Sequence, residues 1–413
     1  MDVERSCESG DRKRFRLHRV LCFAALVAVL ATGVAHAQVP ADIEAKLLKI
    51  GPIVDPGCTA KIYRPLMPPE EVADQYLEME KTGKPSNQVP LYPGITIERD
   101  VSFGRDPNDV VDIFHAENGP ASRTVLIYVA GGPGTKIEIQ NKQANAFNDN
   151  IARWATENGM VGVLMQRHGP APGAPPDFYA PARDVSAMLR WVEANISKYQ
   201  GNPNRIFIWA HSAANGPVGI YAGHPELYGP KGIGLKGIVF MSGQFNILRP
   251  DGSNPVPPAA PARKDSVHVM GAACGEGPST ANSGALPGKA PGQPGGPVVM
   301  PEGTGGRGHA PKVSRAELIK RSSLPGLEKT SAKIFLASAE FDPGVVDGKP
   351  SSFNRALHDE LCKLDGAKAV DGKGHCPMLV VMKGESHMSE PFSVDSGDRT
   401  VSAPILAWIR SVQ

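Results

Sequence analysis

The chain has 413 residues, of which 41% are hydrophobic and 21% charged; it can build a sizeable buried core, and wholesale disorder is excluded. A formal net charge of +2 is too small for bulk electrostatics to recruit a nucleic acid. The 45 glycines and 39 prolines exceed the roughly 12% of an average chain, and much of the excess is concentrated at residues 251–311.

At the N-terminus the basic stretch Arg12 to Arg19 leads into the uncharged apolar run Val20 to Ala31 and then Ala35-His36-Ala37. That is the pattern of a secretory signal with a small-residue cleavage site. The run is about a dozen residues long against the ~20 a helix needs to span a bilayer, so residues 1–37 read as a cleavable leader rather than an anchor. The expected destination is the periplasm or the exterior, with no stable membrane insertion after cleavage. Losing the leader removes six basic and four acidic side chains, which turns the formal +2 into a neutral chain. Cys7 and Cys22 leave with it, so Cys58, Cys274, Cys362 and Cys376 meet an oxidising compartment. The favoured pair is Cys362 with Cys376, because a helix-like stretch and a strand-like run joined by a short loop carry them. Cys58 with Cys274 is the second pairing, and four buried free thiols are the alternative.

Ile43, Leu47 and Leu48 mark a short amphipathic helix over residues 40–50, and residues 51–95 read as a Pro-rich connection, helical around Glu70 to Lys84; together, 38–94 form an N-terminal cap or extension. Alternating strands are expected at Ile95 to Phe103 and Val110 to His115, followed by a continuous apolar run at Val125 to Ala130. A repeating pattern then sets in: helix Asn141 to Glu157 and strand Val161 to Met165; helix Ala182 to Tyr199 and strand Ile206 to Trp209; helix Gly216 to Ala222 and strand Gly237 to Met241. After residues 251–311 come strand Ile334 to Ala337, a helix over Phe353 to Leu364, strand Met378 to Met382 and a last amphipathic helix, Pro404 to Val412. Buried strands alternating with helices predict an α/β domain with a mostly parallel sheet covered on both faces, split into 95–250 and 312–413. Residues 251–311 hold 13 Gly, 11 Pro and no Phe, Trp or Tyr; they read as a disordered, low-complexity insertion.

The chemistry concentrates at strand ends. In Arg205-Ile-Phe-Ile-Trp-Ala-His-Ser-Ala-Ala-Asn-Gly216 a buried strand runs into small residues around Ser212 and then into a helix. A nucleophilic serine on so tight a turn needs small residues at −2 and +2, which Ala210 and Ala214 supply where glycine is usual. Ala130-Gly-Gly-Pro-Gly-Thr135 ends an earlier strand, where an oxyanion-binding loop belongs. Asp342 follows one later strand and His387 the next, giving the order Ser, Asp, His. All three candidates lie past the C-terminal ends of parallel strands, where ligands bind in open α/β sheets. The spacing is neither that of a dinucleotide site nor of a phosphate-binding P-loop, and no metal-ligand motif occurs, so no cofactor and no metal are expected.

From Ile43 to the C-terminus, the insertion excepted, the chain resembles bacterial α/β-hydrolase carboxylesterases of the hormone-sensitive-lipase-like kind. The resemblance rests on Gly131-Gly132, Ile206 to Ala213, Arg321 to Leu327, Ala339 to Pro343 and Ser386 to Glu390. It implies an α/β-hydrolase fold and cofactor-free hydrolysis of small carboxylic esters, with catalytic roles for Ser212, Asp342 and His387 and an oxyanion hole of Gly131, Gly132 and Ala213. The chain departs from the family at Pro133, which has no N–H where the family has a third glycine, and at Gln166-Arg-His-Gly-Pro170, which keeps Arg167. Arg167 is expected either to pair with Asp184 and brace the loop or to stand solvated; His168 and His211 are expected to be walls of the site. Two other readings stay open: a hydrolase-fold binding module without catalysis, and a peptidase or amidase. Substrate and oligomeric state are not written in these motifs.

Overall fold

The computed structural model describes residues 39–52, 54–67, 92–132, 147–167, 177–257, 314–343, 345 and 348–412. The expected leader, the helical stretch 70–84, Pro133, His168, Cys274 and all but the first seven residues of 251–311 lie outside the described residues.

Among the described residues eight strands form one sheet in the order β1-β2-β4-β3-β5-β6-β7-β8. They are β1 (Ile95–Ser102), β2 (Val110–Ala116), β3 (Arg123–Val129), β4 (Val161–Met165), β5 (Gly201–His211), β6 (Gly237–Met241), β7 (Lys333–Ala339) and β8 (Met378–Met382). The first two run antiparallel, β1 to β2 and β2 to β4, and every pairing from β4 through β8 is parallel. The chain has the α/β-hydrolase fold.

The continuous apolar runs arise because both faces of the sheet are covered. In β3, Val125, Ile127 and Val129 pack with Ile206 and Ile208 under α4 (Ala180–Asn195) and α5 (Asn215–Gly223). Leu126 and Tyr128 point the other way, toward α3 (Asp149–Glu157) and α10 (Ser402–Val412). On α10, Ile405, Trp408 and Ile409 recur at helical spacing and are all buried. Each large side chain removed from water in this way contributes about 1.5–3 kcal/mol, so the central strands are the most strongly held part of the sheet.

The N-terminal segment forms α1 (Ala41–Ile50) and α2 (Pro56–Tyr63), the second begun by Asp55, whose side chain accepts from the Cys58 amide. Ile43, Leu47 and Tyr63 pack on Phe392, with Phe341 and Met388 alongside. These helices therefore cover the loops that follow β7 and β8. Two further short helices are α6 (Arg315–Lys320) and α7 (Leu324–Leu327), and α8 (Ser352–Cys362) joins β7 to β8. The expected Cys362–Cys376 disulfide is present; Cys58 is also disulfide-bonded, and its expected partner Cys274 is not among the described residues.

Candidate active site

Ser212 stands directly after β5 with φ +53°, a left-handed conformation unusual for a residue with a side chain, and a 3-10 turn over Ser212–Ala214 passes into α5. Ala210 and Ala214 are fully buried, and the crowding explains why both are small. Asn215 clamps the turn, donating through Nδ2 to Ser212 O and to Met241 O, each at 2.8 Å.

Asp342 and His387 sit on neighbouring loops that are sewn together by backbone bonds: Glu340 N donates to Met382 O at 3.0 Å and Phe341 N to Glu385 O at 2.8 Å. The short helix α9 (Ser389–Phe392) follows His387 and seats the loop. The three side chains then meet in series. Ser212 Oγ is 2.8 Å from His387 Nε2, and His387 Nδ1 is 3.3 Å from Asp342 Oδ2. With Nδ1–H donating to the carboxylate, Nε2 is left as acceptor for the serine hydroxyl. The histidine and aspartate side chains are 8% and 12% exposed, which keeps the relay nearly dry.

Gly131 approaches this serine so closely that a Cβ on it would lie 2.5 Å from Ser212 Cβ and 2.7 Å from His211 O. Gly132 has φ +72°, again a conformation that suits glycine. The expected pairing of Arg167 with Asp184 is not found. Arg167 turns its guanidinium onto the carbonyls of Ala130, at 3.3 Å, and of Gly132. It braces the loop, but by fixing carbonyls rather than by pairing with a carboxylate; two carbonyl dipoles satisfy a half-buried guanidinium without desolvating an anion. His211 is a wall, as expected: its ring packs 4.9 Å from that of His387 and its Nε2 donates to His387 O at 2.9 Å. Burial first, and the neighbouring His387 second, push His211 down to about 3, so it remains a neutral donor.

Behind the histidine lies a buried acidic group that sequence patterning does not predict. Glu390 is fully buried with Oε2 3.8 Å from His211 Nε2; burial and then the Asp342 charge push it well above the usual carboxylate range, favouring its neutral form. Glu385, also fully buried, accepts from Ser389 Oγ, and burial followed by the Asp398 charge pushes it up to about 8. Tyr63 of α2 donates to Asp398 at 3.3 Å and ties the N-terminal helices to this group. Glu390 does fall within Ser386 to Glu390, one turn past His387, but a glutamate in such a stretch reads as exposed unless the packing around it is known.

Glu385 sets a pH dependence of stability. The folded chain holds a proton up to about pH 8 that an unfolded glutamate sheds near its ordinary 4.5. Its contribution is therefore complete below 4.5 and lost as pH rises through about 8. Comparing thermal unfolding of the wild type and Glu385→Gln between about pH 5 and about pH 9 should show the wild type losing stability relative to the variant, by the order of a few kcal/mol.

No family model and no curated protein matches the chain. Among solved structures, a bacterial heroin esterase is similar at 15% identity over 90% of this chain and 97% of that one, with a TM-score of 0.48. A hyperthermophilic esterase from the archaeon Pyrobaculum calidifontis is similar at 14% identity, over 91% and 100%, with a TM-score of 0.47. A truncated carbohydrate esterase from gut microbiota is similar at 14% identity, over 77% and 96%, with a TM-score of 0.45. The fold assignment itself stands on the strand order and on the serine turn after β5.

Proposed function

We propose that the chain is an exported serine hydrolase that cleaves small carboxylic esters through an acyl-serine intermediate. The observation that carries this reading is the 2.8 Å bond between Ser212 Oγ, held on a left-handed turn at the end of β5, and His387 Nε2. In this reaction Ser212 Oγ attacks the ester carbonyl while His387 takes its proton, and Asp342 steadies the imidazolium. His387 then protonates the departing alcohol. Water, activated by the same imidazole, attacks the acyl-serine and releases the acid.

The oxyanion needs amide donors fixed beforehand, since donors that do not have to reorient stabilise charge as it appears. Ala213 N–H, at the start of the turn into α5, and the 131–132 loop supply them. Across a trans peptide the Gly131 N–H points away from the Ala130 carbonyl that Arg167 holds, so the arginine also aims the amide. The Gly132–Pro133 peptide offers its Gly132 carbonyl to Arg167, and Pro133 has no N–H to give. On this account Gly131→Ala, whose methyl collides with the serine and with His211 O, is expected to lower kcat by about 10²–10³-fold with KM little changed, measured on a short p-nitrophenyl ester.

An organophosphonate, which reacts only with an activated serine, tests the reading. Labelling of the folded chain at Ser212 supports it, and absence of labelling overturns it. Export rests on the leader at 1–37, and the N-terminus of the protein recovered from the periplasm or medium should be Gln38.

A further inference from the structure

Away from the serine, His358 and Cys362 lie one turn apart on α8, facing Asp371 and Cys376 on the loop that enters β8. His358 Nε2 is 3.0 Å from Asp371 Oδ1, 3.4 Å from Cys362 Sγ and 3.7 Å from Cys376 Sγ; Cys376 Sγ is 3.8 Å from Asp371 Oδ1. All four atoms fall within 4.8 Å of one another. In a tetrahedral zinc site, bonds of about 2.0–2.3 Å put ligand atoms about 3.3–3.8 Å apart, so three of these four distances already match and the His358–Asp371 contact, at 3.0 Å, needs only a small lengthening. The two sulfurs, held by the disulfide, are the pair that must separate. His358 Nδ1 is 3.1 Å from Asp359 Oδ1, the carboxylate support that ligating histidines ordinarily have and that leaves Nε2 for a metal. Asp371 is exposed, which gives an ion a way in, and Cys376 is buried.

We propose that this corner is a redox-gated site for a zinc-class divalent cation, formed by His358, Cys362, Asp371 and Cys376. A dithiol reductant gives two electrons and two protons to the Cys362–Cys376 bond, leaving two thiols and becoming a disulfide itself. The cation then binds both thiolates, the imidazole and the carboxylate, and the two thiol protons are released. Two thiolates with an imidazole and a carboxylate favour zinc over magnesium or calcium, which take oxygen ligands. Either closure, sulfur to sulfur or through the ion, fastens α8 to the entrance of β8, the strand that leads to His387.

The test uses the full chain reduced with a phosphine, which is oxidised to its oxide with oxygen from water, then freed of reductant without air and titrated with Co²⁺. One cobalt per chain is expected, with thiolate-to-cobalt charge-transfer absorption, displacement by Zn²⁺, and no such absorption from the oxidised chain. His358→Ala and Asp371→Asn keep both cysteines; each should weaken cobalt binding at least about tenfold while thiol counts show the oxidised disulfide intact. A reduced chain without the charge-transfer band overturns the proposal, whether or not circular dichroism finds it folded. Equal cobalt affinity in His358→Ala overturns it as well.

Discussion

Ser212→Ala is expected to lower kcat on a short p-nitrophenyl ester by about 10⁴–10⁶-fold, the loss that follows removal of a serine nucleophile acting as one unit with its base. The residual rate is what the amide donors and substrate binding supply alone. The substitution removes one hydroxyl from a half-buried position and leaves the turn, with its Asn215 clamp, in place. Thermal unfolding should therefore be nearly unchanged, which separates lost chemistry from lost structure. Full turnover by the folded variant would end the proposed mechanism.

Asp342→Asn is expected to cost about 10⁴-fold in kcat with KM little affected. The carboxylate accepts from His387 Nδ1; a carboxamide can present its NH₂ there instead, which favours the tautomer with the proton on Nε2. That nitrogen then cannot accept from Ser212 Oγ. The neighbouring Glu390 does not replace the lost carboxylate, because it faces His211 rather than Nδ1 of His387 and is held toward its neutral form. Glu390→Gln is the matching control, expected to keep most of the turnover, and equal losses in the two variants would contradict the assignment of Asp342 as the partner of His387.

Much of the sheet was legible because burial on both faces writes itself as continuous apolar runs. Val161 to Met165, Gly237 to Met241 and Met378 to Met382 are strands at the predicted residues, and the helix expected over Phe353 to Leu364 runs from Ser352 to Cys362. β5 was longer than its apolar stretch, running from Gly201, because its pairing with β3 at Arg123 depends on backbone bonds that apolar patterning does not record. The helix over Pro56–Tyr63 lies in a stretch that patterning alone reads as connection, since its proline and glycine are turn residues by habit; proline is tolerated in a first turn, and here Asp55 caps it.

The α/β alternation, the order Ser212, Asp342, His387, the small residues that let the serine turn close, and the cysteine pair flanking one loop can all be read along the chain. These are local or periodic properties, carried by residue size and hydropathy along the chain. Three-dimensional packing is what puts Arg167 on the carbonyls of Ala130 and Gly132 instead of Asp184, lays His211 against the back of His387, and encloses Glu385 and Glu390 so that both are held toward their neutral forms. The partners of a charged or polar group, and the work of removing it from water, are set by what the fold packs around it, and residues far apart in the chain supply that surrounding.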